Sequence, residues 1–172
     1  MRSIVPYDHA VLHSVAEPVT EFDDALRDLV ADMDRIRAEH GGVGIAAPQV
    51  GVALRLFVID DRMPDGSPSD RYGGREVMPL VIANPSITSR SDDTEDGEEG
   101  CLSLPETLGA DGERRIVPRP VSIAYEGLDL NGRTIAGHLD GFMARVFCHE
   151  ADHLDGLLID RYPVAATDVE SA

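Results

Sequence analysis

An amphipathic helix is predicted by the stretch Gly141-Phe142-Met143-Ala144-Arg145-Val146-Phe147-Cys148-His149-Glu150-Ala151-Asp152-His153-Leu154. Apolar residues recur along it at helical intervals, as they do on a helix with one buried face. Gly156 follows, and glycine readily adopts the left-handed conformation that ends a helix. The last turns also contain an H-E-x-x-H pattern, so this helix has to supply both core packing and chemistry.

The H-E-x-x-H pattern points to a metal site. Residues four apart lie on one face of a helix, so His149 and His153 can reach the same ion. Glu150 is next to the first histidine, where a carboxylate can hold and deprotonate a water activated by the metal. The alternative is a solvated helical turn with two surface histidines. Phe142 and Val146 favour the metal site, because they precede His149 on the same face and turn that face toward the core.

A catalytic metal commonly has three protein ligands, so one more must come from elsewhere in the chain. The residues after His153 contain no histidine, and Glu170 lies in an acidic tail. Cys148 precedes the first histidine and points about 100° away from it around the helix. The best candidate is Cys101, within Glu98-Glu99-Gly100-Cys101-Leu102-Ser103, and the alternative there is a buried apolar thiol.

A second unusual segment is Gly42-Val43-Gly44-Ile45-Ala46-Ala47-Pro48-Gln49-Val50-Gly51. Its small residues allow a backbone to approach a partner closely. The glycines do not have G-x-G-x-x-G spacing and no predicted strand leads into them, which argues against a dinucleotide site. Gln49 is the only polar side chain in the segment, which favours a functional role over a simple helix stop followed by a tight connection.

The other periodicities predict a second amphipathic helix from about Thr20 to His40. Thr20 is its predicted N-cap, Asp23 occupies the capping-box position, and the glycines after His40 end the helix. The apolar stripe of this helix indicates packing against a sheet, and no chemistry is predicted for it.

Strands are predicted at residues 54–59 and 80–83, the second ended by Asn84-Pro85. The strongest hairpin signal is Asn131-Gly132, between residues 121–130 and 133–135. Residues 60–74 and the acidic segment Ser91 to Glu99 are predicted to be loops. Because helices and hairpins occur in blocks, we predict an α+β fold. In it, antiparallel β-sheets pack around a central helix carrying the H-E-x-x-H motif, with one N-terminal amphipathic helix.

Composition excludes several classes of partner. The 172 residues contain 15 Lys+Arg and 32 Asp+Glu, a net charge of −17, which argues against binding nucleic acid or an anionic membrane. Residues 1–172 have the length of a single domain, with a frayed tail predicted from about residue 164. We predict no signal peptide and no spanning segment, and two cysteines do not suggest a disulfide framework, so we expect a cytoplasmic protein.

Together, three segments resemble the peptide deformylase family. Gly42–Gln49 matches its G-x-G-x-A-A-x-Q motif, Glu99–Ser103 its E-G-C-L-S motif, and His149–His153 its H-E-x-D-H motif. All three are complete and in the family's order. The similarity extends to stretches between them, including Asn84-Pro85 and Val117-Pro118-Arg119.

The resemblance implies a hydrolase of protein biosynthesis that removes the formyl group from the N-formyl-methionyl end of new polypeptides and releases formate. It implies one divalent metal ion held by Cys101, His149 and His153. That ion is Fe²⁺ in the active enzymes of the family, with Zn²⁺, Ni²⁺ or Co²⁺ as substitutes. It makes Glu150 the general base and acid, and the Leu102 backbone N–H and the Gln49 amide the donors to the oxyanion. The residues it assigns to substrate binding are Val43, Phe142 and Val146 around the methionine side chain, and Gly44 through its backbone.

The chain departs from the family at a few positions. Cys148 stands where the family usually has glutamine, residues 9–13 blur its D-P-x-L-R segment, the stretch 106–115 is longer than usual, and the long basic C-terminal helix of some members is lacking. These departures bear on substrate range and ribosome attachment more than on the chemistry.

Two further roles stay open. Arg145 can either line the methionine pocket or reach solvent, and Asp152 can support the metal ligands or be an exposed acid.

Two other functions remain open: a zinc peptidase, and a deformylase-like relic that binds metal or peptide without turnover. The missing downstream ligand argues against the first, and the retention of Glu150 against the second. We expect a monomer without stable ribosome docking through its tail, because residues 160–172 lack a basic helix. The alternative dock is a basic patch around Arg114, Arg115 and Arg119.

Overall fold

Helix α2, at Gly141–Leu154, is the element around which the other elements are arranged. The computed structural model describes residues 2–60, 62, 79–104 and 114–165. The helix has the predicted bounds, and Gly156 beyond it has a φ of +69°. Its fully buried side chains include Ala144, Phe147 and Leu154, so the predicted core face is confirmed.

Helix α1, at Asp24–Glu39, is the predicted N-terminal amphipathic helix. It buries an apolar stripe that includes Leu29, Met33 and Ile36. The prediction that Thr20 caps it is wrong. Asp23 is the N-cap, and its carboxylate accepts a hydrogen bond from the Leu26 N–H at 3.0 Å, which satisfies a donor of the first turn.

The strands form two antiparallel sheets. The larger has five strands in the order β1-β2-β3-β6-β7, and the smaller pairs β4 with β5. Their bounds are β1 Gly44–Ala46, β2 Leu56–Ile59, β3 Leu80–Arg90, β4 Thr94–Glu99, β5 Arg115–Pro120, β6 Ser122–Leu128 and β7 Thr134–Asp140. The predicted hairpin is confirmed, because β6 and β7 flank Asn131-Gly132 and Gly132 has a φ of +71°.

Strand β3 does not end at Asn84-Pro85 as predicted. The register with β6 shifts between Ala83 and Ser86, and Asn84 has a positive φ of 51°, so the dipeptide forms an irregularity within a longer strand. The Asn84 side chain bonds the backbone of Val19, in the segment before α1. Its amide accepts from the Val19 N–H at 2.8 Å and donates to the Val19 carbonyl at 2.9 Å.

The prediction of a solvated loop from Ser91 to Glu99 is also wrong. Most of this segment is β4, in register with β5 from Thr94 opposite Pro120 to Glu99 opposite Arg115. Most of its acidic side chains are exposed, as a loop would have them, but Glu99 is buried. The acidic composition therefore reflects the exposed side chains of a strand, and it does not indicate a loop.

The larger sheet buries both of its faces. Along β2, Leu56 and Val58 lie in the hydrophobic cluster of α1, whereas Phe57 and Ile59 lie in that of α2. Helix α2 also contacts β5 of the smaller sheet, so it is enclosed between the two sheets as predicted. This enclosure makes the second half of α2 a buried site.

Several predictions fall wholly or partly outside the described residues: the loop at 60–74, apart from Asp60 and Arg62, and the tail from residue 166 onward. The first two residues of the predicted tail are described and are paired: Val164 forms a bridge with Arg115, and the Ala165 N–H donates to the Arg114 carbonyl at 2.7 Å. Among the described helices, none has the length and apolar content needed to cross a membrane.

Candidate metal centre

Three potential ligands converge between α2 and the end of β4. One ligand atom from each of Cys101, His149 and His153 lies within 4.8 Å of the other two. Cys101 follows β4 in a turn closed by the Leu104 N–H, which donates to the Cys101 carbonyl at 3.1 Å. The Cys101 Sγ lies 3.3 Å from Nε2 of His153. The histidines meet because they are one turn apart on α2, and the thiol joins them only through the tertiary fold.

Glu99 orients the first histidine. Nδ1 of His149 donates to Oε2 of Glu99 at 2.9 Å, which leaves Nε2 as the nitrogen available to a metal. Arg119 donates to both oxygens of the same carboxylate, at 2.8 and 2.9 Å. Burial alone would raise the pKa of Glu99, but hydrogen bonds from Arg119 and His149 outweigh it and hold that pKa at about 2. Glu99 is therefore an ionised acceptor.

Neither Glu99 nor Arg119 was predicted to support the metal site, and Arg119 was named only within the alternative basic patch. Both were nevertheless within stretches shared with the family, as the first residue of Glu99–Ser103 and the last of Val117-Pro118-Arg119. The sequence feature that could have indicated Glu99 is an acid two residues before the candidate ligand Cys101. It was masked by the other acids of the segment, which are exposed.

The donor set suits a divalent transition metal. Burial raises the pKa of Cys101, but the neighbouring His153 and His149 lower it to about 5, so the thiol is held as the thiolate that binds metals. Burial lowers the pKa of His149, and hydrogen bonds with Cys101 and Glu99 raise it well above the usual value. Among the described residues, the buried Nδ1 of His153 and Oε2 of Glu150 have no hydrogen-bond partner. A soft thiolate with two imidazoles is a ligand set for zinc or iron-group ions.

Glu150 is buried beside these ligands. Burial raises the pKa of its carboxyl to about 7, against the opposing effect of His149 and His153. Gly44 on β1 makes room for it. A Cβ at that position would overlap Oε1 of Glu150 and lie 2.7 Å from its Cδ. The carboxyl is therefore held close to the backbone of the edge strand, in a place that only glycine leaves open.

Gln49 has a fixed orientation at the same site. Its Oε1 accepts from the Ala46 N–H at 2.8 Å, which directs Nε2 toward the Cys101 Sγ at 3.8 Å and the Ser103 Oγ at 3.2 Å. Leu102 is the residue after the cysteine. A Cβ at Gly42 would lie 2.9 Å from Cδ1 of Leu102, so the glycine segment and the cysteine turn are in contact.

The apolar residues assigned to the methionine pocket belong to one cluster. Val146 is buried, and Val43 and Phe142 are partly buried against it. Beside them, β1 is an edge strand whose described partner is β2. The Asp60 N–H donates to the Val43 carbonyl at 2.8 Å, and hydrogen bonding alternates along an antiparallel pair, so the N–H and C=O of Gly44 face away from β2.

Three residues left open by the sequence acquire contacts. Cys148 is buried in the cluster between α2 and the larger sheet, where burial raises the pKa of its thiol. Asp152 accepts from Arg119 at 2.8 Å and from Arg161 at 3.0 Å, so it supports the arginine that holds Glu99. Arg145 does not extend into solvent. Its side chain is 11% exposed and contacts Glu99.

Helix α2 carries two imidazoles and a buried carboxylate, and the Cys101 thiolate faces them from the turn after β4. This arrangement is typical of metal-dependent hydrolases. Comparison with known proteins narrows this class. The sequence matches the family model for polypeptide deformylase over residues 1–166, and the chain belongs to that family.

Individual relatives agree with this assignment. A peptide deformylase of Treponema pallidum is 43% identical over 151 residues, which are 87% of this chain and 81% of the relative. The crystal structure of the Thermotoga maritima peptide deformylase is 34% identical, with a TM-score of 0.79, and the match covers 94% of this chain and 97% of that one. The class I type b peptide deformylase from Acinetobacter baumannii, in a Met-Ala-Ser-bound crystal structure, is 32% identical in sequence. Its TM-score is 0.82, and the match covers 95% of this chain and 98% of that one.

Proposed function

We propose that this protein hydrolyses the formamide bond of N-formyl-methionyl peptides, which releases formate and a free amino terminus. One observation carries the proposal: Cys101, His149 and His153 converge beside the buried carboxyl of Glu150. The site thus combines a ligand set with a group that can move a proton. Membership of the polypeptide deformylase family supports this reaction over the peptidase and relic alternatives.

Cys101, His149 and His153 would hold one divalent ion, for which we propose Fe²⁺, with Zn²⁺, Ni²⁺ or Co²⁺ able to replace it. When bound, the ion supplies the Lewis acidity that brings the pKa of a water toward neutrality. The carboxylate of Glu99 would accept a hydrogen bond from Nδ1–H of His149 and so fix the tautomer whose Nε2 lone pair faces the ion.

Glu150 is the proposed general base and then general acid. An acyl-group hydrolysis needs one proton removed from the attacking water and one delivered to the leaving amine. A carboxyl whose pKa is raised to about 7 by burial can do both near neutral pH. Oε2 of Glu150 has no hydrogen-bond partner among the described residues, so it is available to that water.

The attack converts the formyl oxygen into an oxyanion that requires hydrogen-bond donors. We propose the Gln49 side-chain amide and the Leu102 backbone N–H. Gln49 is 98% buried, and the Ala46 N–H fixes the orientation of its amide. Little reorganisation of this donor is therefore needed during the reaction. Leu102 directly follows Cys101, so its backbone N–H lies close to the proposed thiolate ligand.

The peptide substrate would add to the edge of β1 as an extended strand, bound through the backbone of Gly44. Its methionine side chain would enter the apolar cluster of Val43, Phe142 and Val146. Met-Ala-Ser, the peptide in the Acinetobacter baumannii structure, has the sequence that deformylation of formyl-Met-Ala-Ser would leave. That relative supports methionyl peptides as the substrate class.

The decisive assay measures formate release from formyl-Met-Ala-Ser by anaerobically purified protein of known metal content. We expect stoichiometric formate and Met-Ala-Ser, with acetyl-Met-Ala-Ser as the control for selectivity toward the formyl group. Cleavage of an internal peptide bond would instead favour a zinc peptidase. Metal-loaded protein that yields no product from formylated peptides would favour a relic.

We further propose a cytoplasmic monomer that meets its substrates by diffusion. Two free, buried cysteines suit a reducing compartment, where new formyl-methionyl chains are made. Size-exclusion chromatography with light scattering tests the monomer, for which the expected mass is 18.6 kDa.

A further inference from the structure

Arg145 joins α2 to the smaller sheet, and the proposed reaction does not use it. Its Nη2 donates to the Glu95 carbonyl of β4 at 2.6 Å, and its Nη1 donates to the Val117 carbonyl of β5 at 2.6 Å. Nη1 also lies 3.0 Å from Oε1 of Glu99. One guanidinium therefore ties both strands of the sheet to the helix that carries the histidines.

The contact with Glu99 has a direction. Arg145 donates to Oε1, whereas His149 donates to Oε2 of the same carboxylate. Arg119 spans both oxygens in a bidentate pair. Because Oε1 is held by Arg145 and Arg119, the carboxylate cannot rotate freely. Oε2 therefore accepts from the ring of His149 in one fixed orientation.

Gly97 provides the space for this arrangement. A Cβ at Gly97 would lie 2.6 Å from Cζ and 2.7 Å from Nη2 of Arg145. The guanidinium therefore occupies the volume that any larger residue on β4 would need. The arginine on the helix and the glycine on the strand are complementary in size.

We infer that Arg145 is a positioning residue of the metal centre, which fixes the ring of His149 through Glu99 and depends on Gly97 for its place. The inference rests on the proposed function in one respect, because it takes His149 as a metal ligand. It concerns the geometry of the ligand and not the chemistry of hydrolysis.

The test measures Co²⁺ affinity by competition with a chelator, together with the visible spectrum of the bound cobalt. Arg145→Met should weaken Co²⁺ binding by about tenfold, the lower end of the 10–100-fold range for groups that orient metal ligands, and should shift the spectrum. Gly97→Ala keeps Arg145 but displaces its guanidinium, so it should also weaken Co²⁺ binding and shift the cobalt spectrum. It also carries the test if Arg145→Met does not fold.

A double-mutant cycle with Glu99→Gln separates positioning from general packing. If Arg145 acts through Glu99, adding Arg145→Met to Glu99→Gln should weaken Co²⁺ binding by less than about twofold. Arg55→Met is the matched control, because Arg55 bonds the Leu154 carbonyl and Asp155 at the other end of α2. It should leave the affinity unchanged.

Two results would overturn the inference. One is parental Co²⁺ affinity and spectrum in both Arg145→Met and Gly97→Ala. The other is an equal loss with and without Glu99. If the parent protein binds Co²⁺ and releases formate, either result leaves the proposed function standing. A parent that binds no Co²⁺ would count against both.

Discussion

At the scale of single residues, the site depends on two groups whose surroundings set their charge. The Cys101 thiol has its pKa lowered to about 5 by two histidines, and the Glu150 carboxyl has its pKa raised to about 7 by burial. The same enclosed space thus favours a thiolate ligand and a carboxyl that can exchange a proton. Neighbouring charge dominates in the first case and burial in the second.

Replacing Glu150 tests its proposed role as the general base. Glu150→Gln is nearly isosteric and cannot accept a proton, so we expect metal content and fold to persist while the rate of formate release falls about 10²–10⁴-fold. Glu126→Gln, at an exposed position on β6, is the matched control and should keep full activity. Near-parental turnover in Glu150→Gln would remove this residue from the mechanism.

The two cysteines provide a comparison within one chain. Cys101→Ser replaces a soft thiolate with a protonated hydroxyl, so we expect metal affinity to fall strongly and activity with it. Cys148→Ser changes a cysteine in the core cluster and should lower stability while leaving metal binding intact. Both are read by metal titration with a chelator and by thermal unfolding. If Cys101→Ser holds metal as tightly as the parent, Cys101 is not a ligand.

Oxygen sensitivity is a further consequence of the thiolate. A thiolate beside Fe²⁺ can be oxidised to sulfenic and sulfinic acids, and the iron can be lost. We expect the iron-loaded protein to lose activity in air and the nickel- or cobalt-loaded protein to retain it. Activity is followed over time in air and under argon, with the mass of Cys101-containing peptides as the chemical readout. Equal decay of all three forms would contradict this account.

At the scale of elements, the site is a junction of α2, β1 and the end of β4. Strand β1 comes so close to α2 that Gly44 has no room for a side chain beside Glu150. Gln49 follows in the same segment, and Cys101 comes from the turn after β4 of the other sheet. The catalytic groups therefore depend on the distance between elements as much as on their own identity.

That distance can be changed by a single methyl group. Gly44→Ala should reduce formate release by at least about tenfold, because a 1 Å displacement of a reacting group can cost up to about 10²-fold. Gly42→Ala in the same segment is the comparison. Its Cβ would meet the end of the flexible Leu102 side chain, so a smaller loss is expected. Equal activity of Gly44→Ala and the parent would mean that Glu150 has more freedom than the packing indicates.

At the scale of the whole molecule, α2 is held by an aromatic cluster. Phe147 is fully buried and packs edge-on against Phe57 of β2, with the two ring centroids 5.0 Å apart. The ring centroid of Tyr125 on β6 lies 4.9 Å from that of Phe147. Phe147→Ala should lower the free energy of unfolding by about 3–5 kcal/mol, measured by urea denaturation. Phe22→Ala, at a partly buried position beside Gly132, should cost less. A smaller effect at Phe147 than at Phe22 would contradict this packing role.

The charge of the whole molecule bears on its encounters. A net charge of −17 repels ribosomal RNA, and two of the three arginines of the alternative basic patch, Arg115 and Arg119, are buried. We expect no co-sedimentation with ribosomes at physiological salt, where the Debye length is about 8 Å. Salt-resistant co-sedimentation would contradict this expectation.

Local patterns in the chain were enough to predict α2, its two histidines and the hairpin at Asn131-Gly132. Helical periodicity and turn chemistry act over a few residues, so neighbouring side chains carry the information. The same reasoning placed the N-cap of α1 at Thr20, although Asp23 had an equally suitable side chain. The choice depended on where the chain enters the helix, which local sequence does not determine.

Only the tertiary structure could decide the state of Glu99. An acid among exposed acids is predicted to be solvated, and it becomes a buried partner of His149 because Arg119, on another strand, compensates its charge. Likewise Asn84-Pro85 interrupts but does not end β3, since Asn84 bonds the backbone of Val19 far away in the chain. Residue types along the chain predicted the candidate ligands and the reaction they suit, while burial and charge pairing between distant elements decided how those side chains are held.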